Sequence, residues 1–114
     1  MAREYQYDYS SRHADAFNHD KRQRKAITMV AVLSEHLNKP MKEATVLNVG
    51  GSSGIIDEYL SRHFAHVTGI DIDEKAINYA KQTFQRENLQ FELGDALDLK
   101  YLDQYFDVVI CSHV

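Results

Sequence analysis

Apolar residues recur along the chain with two different periods, and stretches of the two kinds alternate. From Lys21 to Leu37 the residues Ala26, Met29, Val30, Leu33 and Leu37 fall mostly three or four apart, the spacing of one helix face. Asn18 or Asp20 offers a cap for its start, and Asn38-Lys39-Pro40 ends it. Ala44 to Val49 is a short apolar strand that runs straight into the turn Gly50-Gly51-Ser52-Ser53-Gly54. A second helix follows, with Ile55, Ile56, Tyr59, Leu60 and His63 predicted inward and Asp57, Glu58 and Arg62 outward. His66 to Ile70 reads as a strand ending at Asp71. Asp73 then suits the cap of a third helix, with Ile77, Ala80 and Phe84 on one face. Leu89 to Leu93 is a third strand, followed by Gly94-Asp95 and a short helical or irregular piece through Leu102. Tyr105 to Ser112, with Phe106, Val108, Val109, Ile110 and Cys111, is predicted as a strand buried on both faces.

Strands alternating with helices imply right-handed crossovers and a parallel sheet, and continuously apolar strands call for helices on both of its faces. The predicted fold class is α/β: a Rossmann-like doubly wound parallel sheet, truncated after the fourth strand. Residues 1–43 supply an N-terminal arm and helix, and 44–114 supply half of a domain. In an open parallel sheet the ligand lies beyond the carboxyl ends of the strands, where the winding direction reverses. Gly50 to Gly54 follows the first strand, Asp71 ends the second, Asp95 follows the third, and Ser112-His113 end the fourth. Four placements on one edge say more than any single motif.

The glycine turn lets backbone approach a ligand closely and opens a helix whose N–H groups are available to an anion. Its spacing does not match the G-x-G-x-x-G of dinucleotide sites, because positions 52 and 55 are Ser52 and Ile55. Asp71 is placed to accept hydrogen bonds from both hydroxyls of a ribose, bonds worth roughly 1.5–3 kcal/mol each to a charged acceptor. Capping of the third helix is the competing duty for Asp71, and Asp73 is better placed for it.

Composition narrows the function classes. The chain has 114 residues, 44% of them hydrophobic, and a net charge of −4, which argues against a general nucleic-acid binder. The basic cluster Lys21, Arg22, Arg24 and Lys25 reads as a solvated helix face in so acidic a chain. The tyrosine-rich start (Tyr5, Tyr7, Tyr9) reads as a surface arm, with a lid over the ligand as the alternative. A single cysteine, Cys111, fits a reducing compartment, and no apolar run approaches the roughly 18 residues that span a bilayer. The expected location is cytoplasmic, with no membrane or nucleic-acid partner. His63 and His66 lack further ligands for a metal, and Asp71-Ile72-Asp73 matches a metal-binding D-x-D only weakly.

The run Val46-Leu47-Asn48-Val49-Gly50-Gly51-Ser52-Ser53-Gly54 resembles the first motif of class I S-adenosylmethionine-dependent methyltransferases. Val67-Thr68-Gly69-Ile70-Asp71-Ile72-Asp73 is similar to their ribose-binding segment, Leu93-Gly94-Asp95-Ala96 to their adenine segment, and Phe106 to Val114 to their fourth strand. The resemblance implies S-adenosyl-L-methionine as cofactor and a small-molecule methyl acceptor. It also implies roles: Asp71 holding the ribose, Ile72 packing on the adenine, and Asp95, with Ala96 beside it, at the adenine amino group. Asn48, Gly50, Gly51, Ser52 and Gly54 would lie along the ribose and methionine portion, with Ser112 near the methyl donor. The family usually has an acid where this chain has Asn48 and a glycine where it has Ser52. Those departures favour, as the alternative, a cofactor-binding module without turnover; a nicotinamide-dependent oxidoreductase is third. Alignment of donor and acceptor can supply roughly 7–11 kcal/mol without a base, so His113 is expected to be a polar strand-end residue. The family continues past the fourth strand, so this length is expected to be a fragment, inactive alone and prone to self-association through an exposed fourth strand.

Overall fold

The computed structural model describes residues 19–50, 53–95 and 106–111. Among these the chain runs α1 (His19–His36), a 3-10 turn (Met41–Glu43), β1 (Thr45–Val49), α2 (Ile55–Ser61), β2 (His66–Asp71), α3 (Glu74–Thr83), β3 (Leu89–Leu93) and β4 (Val108–Cys111). The four strands form one sheet in the order β3-β2-β1-β4, and every pairing is parallel. All four carboxyl ends therefore reach the same edge. β1 lies at the centre, with β2 on one side and β4 on the other, so the reversal of winding falls beside it.

Alternation along the strands assigns the two faces. Val46, Val67 and Val108 join Ala26 of α1, Ile56 and Leu60 of α2, and Phe64 in one buried cluster. Ile77 and Ala80 of α3 pack on Phe91 of the same face. The opposite face carries Leu47, Val49 and Ile70, with Phe106 against them. The three described helices share one face, and the connection between β3 and β4, where the expected cover for the second face would arise, lies outside the described residues.

That placement explains the fourth strand. Val108 is 8% exposed, whereas Val109 is 60% exposed and Cys111 is also open. β4 borders the sheet, and among the described residues no helix covers its second face, so the prediction of burial on both faces fails there. The strand begins at Val108, after Asp107 has fastened it to β1. The Asp107 carboxylate accepts from Thr45 N at 2.9 Å and from Lys39 Nζ at 3.1 Å. Tyr105 and Ser112, predicted as its ends, lie outside the described residues. Helix α1 starts two residues before its predicted position, with Asp20 inside the first turn; Asn18 lies outside the described residues. Among the described residues no helix is long and apolar enough to cross a membrane.

Candidate functional site

The edge where the strands end is built from a turn, a pair of acids and a buried polar contact. Gly50, at the end of β1, has φ +74°, a backbone state that side chains resist, and its N–H donates to Ile70 O at 2.9 Å. Gly54 has φ +87° and precedes α2. A Cβ there would stand 2.8 Å from both Ala80 Cβ and Phe91 Cζ. The glycine is therefore required by the close packing of α2 on α3 and β3. Gly51 and Ser52, between them, lie outside the described residues.

Asp71 closes β2 and is half-buried. Its Oδ1 accepts from Asp73 N at 2.9 Å, and its carbonyl accepts from Gly94 N at 2.9 Å, which ties the end of β3 to the end of β2. Asp73 takes the capping duty: its Oδ1 accepts from Lys75 N at 3.1 Å and Ala76 N at 3.3 Å. Asp71 is thereby relieved of the helix, and the D-x-D reading loses its second acid. Ile72 and Asp95 are both partly exposed on this same edge. Ala96, Ser112 and His113 lie outside the described residues.

Asn48 is fully enclosed, and its Nδ2 donates to Asp57 Oδ1 at 2.6 Å. Asp57 is only 1% exposed, so the outward position predicted for it is wrong. Ser53, Asp57, Leu60 and Ser61 are all buried, a stripe at helical spacing that hydropathy alone does not reveal because three of its four members are polar. Room for the carboxylate comes from Gly69 on β2, where any Cβ would overlap Asp57 Oδ2 and stand 2.9 Å from its Cγ. Burial raises the Asp57 pKa from 3.8 to about 7; the Asn48 bond works against the rise and the Asp71 charge adds to it. The one sign in the sequence that pointed here was Asn48 itself, an amide at the end of an apolar strand.

The electrostatics sort the ligands. Helix α2 has only seven residues, with Asp57 and Glu58 in its first turn. A phosphate at this edge would lie near the half-buried carboxylate of Asp71, which disfavours it there. Carboxylates suit ribose hydroxyls and a cationic group instead. Elsewhere, His63 packs against Tyr59 with ring centroids 5.0 Å apart and planes inclined by 49°, and His66 begins β2 at the opposite edge. Among the described residues no three His, Cys, Asp or Glu side chains could hold a metal.

Comparison with known proteins agrees with this geometry. The chain is 34% identical over 76 residues to a ubiquinone biosynthesis O-methyltransferase of Coxiella burnetii, covering 65% of this chain and 32% of that protein. It is 39% identical over 67 residues to a fatty-acid O-methyltransferase of Mycolicibacterium smegmatis, covering 57% and 24%. The chain thus spans about a third or less of these relatives' lengths. Among solved structures, magnesium protoporphyrin IX methyltransferase from Synechocystis PCC 6803 with bound S-adenosylmethionine superposes with a TM-score of 0.61 at 28% identity, covering 78% of this chain and 43% of that one. Residues 47–114 match the family model described as a methyltransferase domain, and the chain belongs to that family.

Proposed function

We propose that this chain supplies the S-adenosylmethionine-binding part of a methyltransferase whose acceptor is a small molecule. The observation that carries the reading is Asp71: a half-buried carboxylate at the end of β2, beside the reversal of winding, with helix capping done by Asp73. Its carboxylate grips the two ribose hydroxyls. Ile72 packs against the adenine, and Asp95, with Ala96 beside it, accepts from the adenine amino group. The backbone from Gly50 through Gly51 and Ser52 follows the ribose and methionine portion, and Ser112 lies beside the methyl donor. Asn48 and Gly54 act from beneath, one through Asp57 and the other by allowing α2 to pack closely. The bound cofactor would supply an electrophilic methyl on a sulfonium. The work of these residues is to hold it in line and exclude water, which needs no side-chain base. Relatives named as a ubiquinone biosynthesis O-methyltransferase and a fatty-acid O-methyltransferase support a small acceptor.

Calorimetric titration with S-adenosylhomocysteine and with NAD tests the reading. S-adenosylhomocysteine binds and NAD does not; Asp71→Ala weakens binding about tenfold or more with an unchanged circular dichroism spectrum. An unchanged titration curve in that variant removes the ribose assignment. Binding by the whole protein without methylation of any acceptor in a broad screen would favour the non-catalytic module.

A further inference from the structure

Among the described residues, a buried acid lies outside the ligand-facing edge and yet supports it. Asp57 does not belong to the strand ends, yet it is buried directly beneath them, bonded to Asn48 at the end of β1 and fitted into the space that Gly69 leaves on β2. Gly69 is two residues before Asp71, on the same side of the strand. Asp57 therefore stands between the two features that would grip the cofactor: the turn that begins at Gly50 and the carboxylate of Asp71. A charge arriving at that edge acts on Asp57 across a short, poorly screened path.

We infer that Asp57 is a positioning residue that couples occupancy of this edge to a proton: a cationic ligand drives it to the carboxylate form, and the proton leaves to solvent. The inference rests on the cofactor reading above and deepens it. In the empty site the Asp57 proton is held near neutrality, because burial opposes the charge and Asp71 repels it. A sulfonium set against Asp71 offsets that repulsion and adds an attraction. Once the methyl group has been transferred, the ligand is a neutral thioether at the same sulfur. The attraction is gone and Asp57 takes back a proton.

The groups facing Asp57 make this specific. On the elements packed against α2, β1 contributes Asn48, β2 contributes Gly69 and Asp71, and Phe91 of β3 borders both Gly69 and Gly54. On α1, Arg22 is the buried charged side chain, and at the start of α3 Asp73 is committed to the helix cap. Of the charged groups, Asp71 is the one that acts on the ionisation of Asp57.

Two measurements on the protein test the coupling. The first is titration with S-adenosylmethionine and S-adenosylhomocysteine at about pH 6 and about pH 8, each in two buffers of different ionisation heat. At the lower pH, S-adenosylmethionine releases a sizeable fraction of one proton, more than S-adenosylhomocysteine does. Its affinity rises severalfold toward the higher pH. In Asp57→Asn, which keeps an acceptor for Asn48, that extra release and its share of the pH dependence vanish. Equal proton counts in the two proteins overturn the inference and leave the cofactor reading standing; failure of both ligands to bind overturns both. The second uses carbon-13 in the aspartate carboxyls of the unaltered protein and needs no variant. One buried carboxyl titrates near neutrality, and S-adenosylmethionine moves it to the ionised position. A saturating ligand that leaves it in place refutes the coupling.

Discussion

Replacing Asp57 by Asn removes a buried charge while preserving its shape and its acceptor for Asn48 Nδ2, so it isolates what ionisation does to stability. In the folded chain this carboxyl has a pKa of about 7, against 3.8 ordinarily. A raised pKa means that the folded state keeps a proton which the unfolded chain has already lost. The contribution is thus most favourable below about pH 4, declines as pH rises through the interval, and levels off above about pH 7. At 1.36 kcal/mol per pH unit, the interval from 3.8 to about 7 corresponds to about 4 kcal/mol as a ceiling. Water entry and local relaxation around the ionised form reduce this, and about half of it is a reasonable expectation. Urea unfolding of both proteins at about pH 4.5, 6 and 8 measures the difference, and other carboxylates cancel because both chains carry them. The Asn variant gains on the wild type as pH rises and leads it by about 1–3 kcal/mol more at pH 8 than at pH 4.5. A gap that stays constant across the range, or that moves the other way, refutes the argument.

Gly69→Ala puts a methyl where Asp57 Oδ2 lies and is expected to destabilise by about 1–3 kcal/mol. Adding Asp57→Ala relieves the overlap, so the double variant loses less than the two single losses combined; strict additivity rules the overlap out. Gly54→Ala meets both a positive φ and crowding by Ala80 and Phe91. It should lose about 2 kcal/mol or more in chemical denaturation, and an unchanged midpoint would show that the packing is not so close. Asp107→Ala strips the acceptor from Thr45 N at the start of β1 and should lose about 1–3 kcal/mol. Lys39→Ala should lose less than about 1 kcal/mol, because Lys39 is 38% exposed and its ion pair is solvated. Equal losses in these last two variants would mean that the pair, and not the backbone contact, holds β4 to β1.

Strand and helix positions were legible because burial in this chain follows simple periods. Val46 to Val49 and Val67 to Ile70 are apolar or small at nearly every position, and both strands are covered on both faces. Asp71 and Asp73 were separable by their spacing to α3, and it is Asp73 that caps the helix. What escaped was tertiary in origin. Asp57 has the polarity of a surface residue, and nothing local marks it as buried; its burial depends on Gly69, twelve positions later and on another element. The exposed face of β4 was missed for a similar reason, since Val109 is as apolar as Val108 and, among the described residues, helices pack only on the side of Val108.

Ionisation of Asp57 takes stability from the folded chain as pH rises toward neutrality, and a carboxyl in a buried layer calls for a gain elsewhere. Around it, Val46, Ile56, Leu60 and Val67 are interchangeable in kind and tolerate small sliding of α2 along the sheet. The Asn48–Asp57 contact does not, because a shift by one residue would leave an amide and a carboxylate buried without each other. That contact therefore fixes where α2 stands relative to β1, and Gly69 fixes where it stands relative to β2. Gly50 and Gly54 bracket the turn before α2, and Asp71 is two residues beyond Gly69, so the same two constraints set the span between the turn and the carboxylate. A site that must align a methyl donor to within a fraction of an ångström depends on that span more than on the last few kcal/mol of stability.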